Sequence, residues 1–290
     1  MSDSSLVKVQ EPRAVATRSP NAATVRTIAT IAAMLGFTAY TAMLSPPLGF
    51  GVGTFYFVFL TWSTLKVRRH YQEFNSACSR ALADLARGKL ESARETFSEW
   101  ARITKQPVVA AVSRHNLAWT LLRLGRLDDS RKLFVDNDRR YGHSLATNLL
   151  FGTSGVDTAL VHALLGDIAT AEKWYAAAEQ RRSLPSRPSF PAMLVLTRAV
   201  IDCRAGDPAK AARLLDEQWL ECEVSMTGAE MRPLRVIRAF AIATAGGPRD
   251  AGLADHLIAA VRPIAYANEF TFLGVAWPEM EAFLAAHFTT

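Results

Sequence analysis

The side chains able to do chemistry are present in this chain but not in the patterns chemistry needs. Its six histidines (His70, His115, His143, His162, His256 and His287) are scattered, with no two at metal-ligand spacing and no His-Glu-x-x-His. Cys78, Cys203 and Cys222 form no Cys-x-x-Cys pair, and an odd three in 290 residues is no disulfide framework. They read as small core or groove residues. No metal site and no cofactor is expected. Gly88-Lys89 lacks the upstream glycine of a phosphate loop, and Gly49-x-Gly51-x-Gly53 lacks the strand–turn–helix setting of a dinucleotide site. Gly152-Thr153-Ser154-Gly155 misses the Gly-x-Ser-x-Gly nucleophile elbow by one residue and reads as a helix start capped by Thr153 or Ser154. The carboxylates of Asp128-Asp129 and of Asp136 and Asp138 read as a solvent-facing helix surface. No catalytic residue emerges, and the expectation is a protein that is not an enzyme; a site built across several elements stays open as a weaker alternative.

Basic clusters at Arg131-Lys132, Arg139-Arg140, Arg181-Arg182 and Arg187 raise the question of an anionic partner. The net charge is +6, and setting aside the four basic and two acidic residues before position 27 leaves only +4 for the rest. That balance argues against nucleic acid, which demands a strongly basic face. The clusters read as a solvated surface, with contact to anionic lipid headgroups as the alternative.

Charge is distributed unevenly. The 39 residues from Thr27 to Leu65 contain no Asp, Glu, Lys, Arg or His. One membrane span needs about 20 apolar residues, so this run suits two, and Ser45-Pro46-Pro47 divides it because consecutive prolines stop a helix. The expected organisation is a disordered cytoplasmic tail over 1–21, a transmembrane hairpin with helices 22–44 and 48–65, and a helical domain over 66–290. Gly49-x-x-x-Gly53 has the small-residue spacing that lets membrane helices approach closely, with Gly36 as a candidate partner. Basic residues flank the run on both sides, Lys8, Arg13, Arg18 and Arg26 before it and Lys66, Arg68 and Arg69 after it. Both termini are therefore expected to be cytoplasmic at the cell (inner) membrane, with lipids as partners. A re-entrant hairpin and a signal sequence are the competing readings.

From Lys66 onward apolar residues recur at helical spacing and five glycines fall in register: Gly88, Gly125, Gly166, Gly206 and Gly246, at spacings of 37, 41, 40 and 40. Alanine stands seven residues before each (Ala81, Ala118, Ala159, Ala199, Ala239). A small residue stands five after (Ala93, Ser130, Ala171, Ala211, Ala251), and Phe97, Phe134, Tyr175 and Leu215 stand nine after, with the fifth repeat breaking at Asp255. Glycine ends the first helix of a pair in the left-handed conformation, small residues let two helices pack closely, and the large residue fills the gap to the next pair. Prolines at 191, 233, 263 and 278 read as helix starts, and Trp277–His287 as a final helix closing the end of the stack.

The small–glycine–small–aromatic signature resembles the tetratricopeptide repeat (TPR) family over about Tyr71 to Pro263, with a period longer than the family's 34. The resemblance implies an all-α, TPR-like solenoid of about five helical hairpins whose first helices line a groove. Carried over by register, the groove positions include His115, Trp119, Arg123, Leu160, Met193, Leu196, Val200, Arg204 and Phe240. Cys78 and Leu82 stand where the family's carboxylate clamp has Lys and Asn, so an apolar helix or extended peptide is the expected ligand. The expected function is a membrane-tethered, non-catalytic scaffold binding a protein or peptide partner. The alternative is a subunit of a membrane transport or secretion complex that assembles through its hairpin.

Overall fold

A computed structural model describes residues 22–141, 154–180, 188–246 and 251–288. The expected tail over 1–21, His143, Thr153, Arg181, Arg182 and Arg187 lie outside them. The protein is all-α, and no strand occurs among the described residues. Two compact units divide at Ser79/Arg80, well past the boundary expected at residue 65, because the second helix does not stop there.

In the first unit, α1 spans Ala22–Leu44 and α2 begins at Pro46. The break between them falls at Ser45, where proline removes the N–H that a continuing helix would use. The second helix runs to Ala86, 41 residues without interruption. Gly53 is a point of close approach, since a Cβ there would meet Thr38 Cγ2 at 3.4 Å. Thr38, and not Gly36, thus stands opposite Gly53, while Gly36 and Gly51 face open space. Hydroxyls are spent within the helices: Thr38 Oγ1 donates to the Met34 carbonyl at 2.9 Å, and Thr54 Oγ1 to that of Phe50 at 2.9 Å.

The second unit is a TPR-like solenoid of helix pairs. The end of α2 pairs with α3 (Leu90–Ile103), α4 (Pro107–Arg123) with α5 (Leu127–Tyr141), and α6 (Ser154–Leu164) with α7 (Ile168–Glu179). Then α8 (Phe190–Arg204) pairs with α9 (Pro208–Glu217), and, after the short α10 (Trp219–Ser225), α11 (Gly228–Ala245) with α12 (Ala251–Ala260). All five register glycines have positive φ, from 71° to 88°. Arg126 N–H bonds back to the Leu121 carbonyl at 2.9 Å, Asp167 to His162 at 3.0 Å and Asp207 to Asp202 at 2.9 Å, the six-to-one bond that closes a helix over a glycine. The five alanines before the glycines are buried, as are Ala93, Ser130, Ala171, Phe97, Phe134 and Leu215. Where the small residue is polar it is satisfied across the pair: Ser130 Oγ donates to the Ala118 carbonyl at 2.8 Å.

Two proline expectations are corrected. Pro233 is internal to α11, because the helix starts earlier, at a capping box in which Thr227 accepts from Glu230 N–H and the Glu230 side chain accepts from Thr227 N–H. Thr227→Ala should cost about 1 kcal/mol, read as a lower denaturation midpoint with an unchanged slope; Thr227→Ser should restore most of it. Pro263 starts no helix. It lies in an irregular segment over 261–270 that leads into α13 (Thr271–Gly274) and then α14 (Pro278–Phe288).

The last part of the chain does not merely close the end of the stack. It lies along the first helices and turns of several pairs. Tyr266 packs on Gly88, Val275 Cγ2 lies 3.0 Å from where a Gly125 Cβ would stand, and the Arg123 guanidinium sits 5.1 Å above the Phe272 ring. Arg204 covers Trp277 at 5.3 Å, and Phe240 meets Trp277 and Phe283 edge-on at 4.9 and 5.5 Å. Phe270, Phe272, Leu273 and Trp277 are all buried. Arg232 fixes the segment's base, donating to both Glu269 carboxylate oxygens and to the Val261 carbonyl.

Candidate functional site

The first helices of the five pairs converge on one cavity of about 200 Å³ within the second unit. Leu82 and Leu85 come from the end of α2, and His115, Asn116, Trp119 and Arg123 from α4 at the three- and four-residue spacing that puts them on one helix face. Leu160 comes from α6, Met193, Leu196 and Val200 from α8, and Glu230 and Pro233 from α11. Phe272 and Leu273 of α13 cover it. Leu160, Met193, Leu196, Val200 and both covering residues are buried, whereas Leu82 is 45% exposed and Asn116, Trp119 and Arg123 are half-buried. The cavity therefore opens toward the first two pairs.

Seven of the nine groove residues inferred from register stand in this lining: His115, Trp119, Arg123, Leu160, Met193, Leu196 and Val200. Arg204 does not; its Nε donates to the Ala163 carbonyl at 3.3 Å and its guanidinium stacks on Trp277. Nor does Phe240, which is buried between Trp277 and Phe283. Register places both on the inner helix face, but the C-terminal segment covers that face at the fourth and fifth pairs. Reading the sequence also missed Leu85, Asn116 and Pro233, which extend the same helix faces by one position. It missed Phe272 and Leu273 as well, which lie outside any repeat and so carry no register signal.

The polar chemistry of the lining is sparse. His115 lies 3.7 Å from the fully buried Asp157, and its ring is edge-on to Phe134 at 5.6 Å. The indole N–H of Trp119 is buried and has no hydrogen-bond partner among the described residues. Arg123 reaches the Tyr266 hydroxyl at 3.5 Å. Glu230 Oε2 accepts from Thr227 N–H and Oγ1 at 2.8 and 2.9 Å, as part of its helix cap.

Elsewhere ionisable groups serve structure. Burial pushes the Cys203 thiol up to about 12 and the Cys222 thiol up to about 11, so neither is a thiolate nucleophile at neutral pH. Arg131 pairs with Asp128 at 2.8 Å, and Arg139 and Arg140 share Asp136 at 3.1 and 2.9 Å. Arg131, Arg139 and Arg140 thus each have an acid within one helical turn, Asp136 being shared. No group of three His, Cys, Asp or Glu that could hold a metal ion occurs among the described residues.

His162 does impose a pH dependence. Desolvation holds its pKa below the ordinary histidine value, with Asp167 opposing that shift from 3.2 Å. A folded pKa below the unfolded one means that the unfolded chain takes up more protons as pH falls below about 6.5. The array should therefore lose stability on acidification from about pH 7 through that window. His162→Gln should flatten this part of the Tm-against-pH curve, measured alongside the unchanged protein.

The tetratricopeptide repeat family model matches residues 111–134, the half-pair from Ala111 to Phe134 that holds Ala118, Gly125, Ser130 and Phe134. No curated protein and no solved structure matches the chain. Repeats of this type are generally protein-interaction modules without catalytic activity. With five helix pairs in one register around a shared inner face, the match supports a TPR-like family for this chain.

Proposed function

We propose that the protein is a membrane-tethered, non-catalytic adaptor that holds a partner protein at the mouth of its inner face. The observation that carries the reading is the cavity itself: an apolar wall drawn from all five pairs, open where Leu82, Trp119 and Arg123 are partly exposed. An apolar side chain of a partner, presented on a helix or an extended peptide, fits this opening.

The tether is the hairpin. Met43, Phe50 and Phe57 are 87%, 78% and 71% exposed, and each large apolar side chain left in water forgoes about 1.5–3 kcal/mol. A patch of this extent needs a covering. The stretch Phe50–Ala86 is long and apolar enough, by length and composition, to cross a membrane, and Thr30–Leu44 is a shorter apolar helix. The Lys66 ammonium stands over the Trp62 ring at 5.3 Å, a pairing suited to a membrane–water interface. With both ends cytoplasmic, tethering raises the array's concentration at the membrane and gives a weak site useful occupancy.

Photocrosslinking in cells tests the binding face. A photoreactive residue at Leu82, on the opening, should capture a discrete protein that one at Asp129, on α5 and paired with Arg126, does not. Capture from Asp129 alone would place the working surface elsewhere. A second reading, a subunit that assembles through its hairpin, is favoured by Gly36 and Gly51, whose faces are open to a close-packed neighbouring helix. Gly36→Leu and Gly51→Leu should then abolish assembly while leaving the array folded.

A further inference from the structure

We propose that the inner cavity is a binding site for a small aliphatic carboxylate, a chain of about six to eight carbons whose head group meets Arg123 and Trp119. Size sets the chain length. An apolar cavity of about 150 Å³ holds a benzene, so one of about 200 Å³ takes a short aliphatic chain and is too small for a helix. The walls set the body's chemistry. Leu160, Met193, Leu196, Val200, Phe272 and Leu273 form an apolar wall that suits an aliphatic chain, and the few polar groups of the lining, His115, Asn116, Arg123 and Glu230, can orient a head group.

The head group follows from two unmet donors on α4. Arg123 is half-buried, and no carboxylate pairs with it among the described residues; of its five N–H groups, one reaches the Tyr266 hydroxyl at 3.5 Å. Elsewhere in the array Arg114, Arg198 and Arg232, also half-buried, have acid partners (Asp136, Asp202 with Glu172, and Glu269), while half-buried Arg204 donates to the Ala163 carbonyl and stacks on Trp277. One turn before Arg123, the buried Trp119 indole N–H also lacks an acceptor, and an unmet buried donor is costly. Both side chains line the cavity where it opens, so a carboxylate there accepts from the Arg123 guanidinium beside the Trp119 ring while its chain runs inward. The one acidic residue of the lining, Glu230, is engaged in the cap of α11. The proposal does not rest on the adaptor reading, since a bound acid and a partner protein are detected separately.

The test is photoaffinity labelling of the full chain in nanodiscs with an eight-carbon carboxylic acid bearing a diazirine at its far end, followed by peptide mapping. Adducts are expected on peptides containing Met193–Val200 or Phe272, and octanoate but not octylamine should compete. Arg123→Gln should lower this labelling about tenfold or more, and Leu82→Trp, a filler at the exposed opening, should block it while the circular dichroism stays unchanged. Adducts confined to residues 22–65, equal competition by octylamine, or labelling unaltered in both variants would each overturn the proposal.

Discussion

Phe134→Ala should remove about 3–5 kcal/mol of folding stability, the usual range for emptying a buried phenylalanine site. Phe134 is fully buried, carries the aromatic position of the second repeat, and has His115 and Trp119 packed edge-on against its ring at 5.6 and 6.1 Å. A cavity there loosens α4 against α5 and undercuts two of the side chains that shape the inner face. Because each pair in a solenoid rests mainly on its neighbours, the loss should be local first. Hydrogen exchange of the full chain should show protection falling across 107–141, then across 154–179, with 208–217 least affected. A uniform loss across the array would mean that it behaves as one cooperative globule instead.

Comparing two glycines gives the second large effect and isolates the C-terminal segment. Gly206 has φ of 88° and nothing within 4 Å of where a Cβ would stand. Gly206→Ala should therefore cost only the left-handed strain, about 1–2 kcal/mol. Gly88 has φ of 77°, and a Cβ there would fall 2.5 Å from Tyr266 Cβ, far inside van der Waals contact. Gly88→Ala should cost that strain plus about 1–3 kcal/mol of overpacking, and should raise exchange over 264–277 as the segment lifts from the turn. In a Tyr266→Ala background the excess should vanish, which a double-mutant cycle by urea denaturation reads directly. Equal costs at the two glycines would mean that the segment does not rest on the first pair.

The repeat was legible from sequence because its physics is local. A glycine at the end of a helix, an alanine seven before it and a small residue five after are each demanded by one turn or one close crossing. Wherever the structure describes them, the alanine and the small residue are buried and the glycine is left-handed. The inner face was partly legible for the same reason, since Trp119 and Arg123 share a helix face by spacing alone. Arg204 and Phe240 show where this reading stops: whether an inward-facing residue lines an opening or supports a core depends on what lies across from it. Here that is a non-repeating segment carrying Phe272 and Trp277. The start of α11 is signalled by Thr227 and Glu230, three residues apart, and not by Pro233, which the helix accommodates in its interior. The unbroken run of α2 past Leu65 was hidden because Lys66, Arg68 and Arg69 change the solvent a helix can face without ending it.

We propose that the array is held at a membrane with both termini on one side. Reporter fusions after Pro20, Pro46 and Thr290 of the full chain measure that directly. The expected result is cytoplasmic signal at Pro20 and Thr290 and signal from the opposite compartment at Pro46. Opposite compartments for Pro20 and Thr290, or full recovery of the protein in the fraction free of membranes, would contradict it.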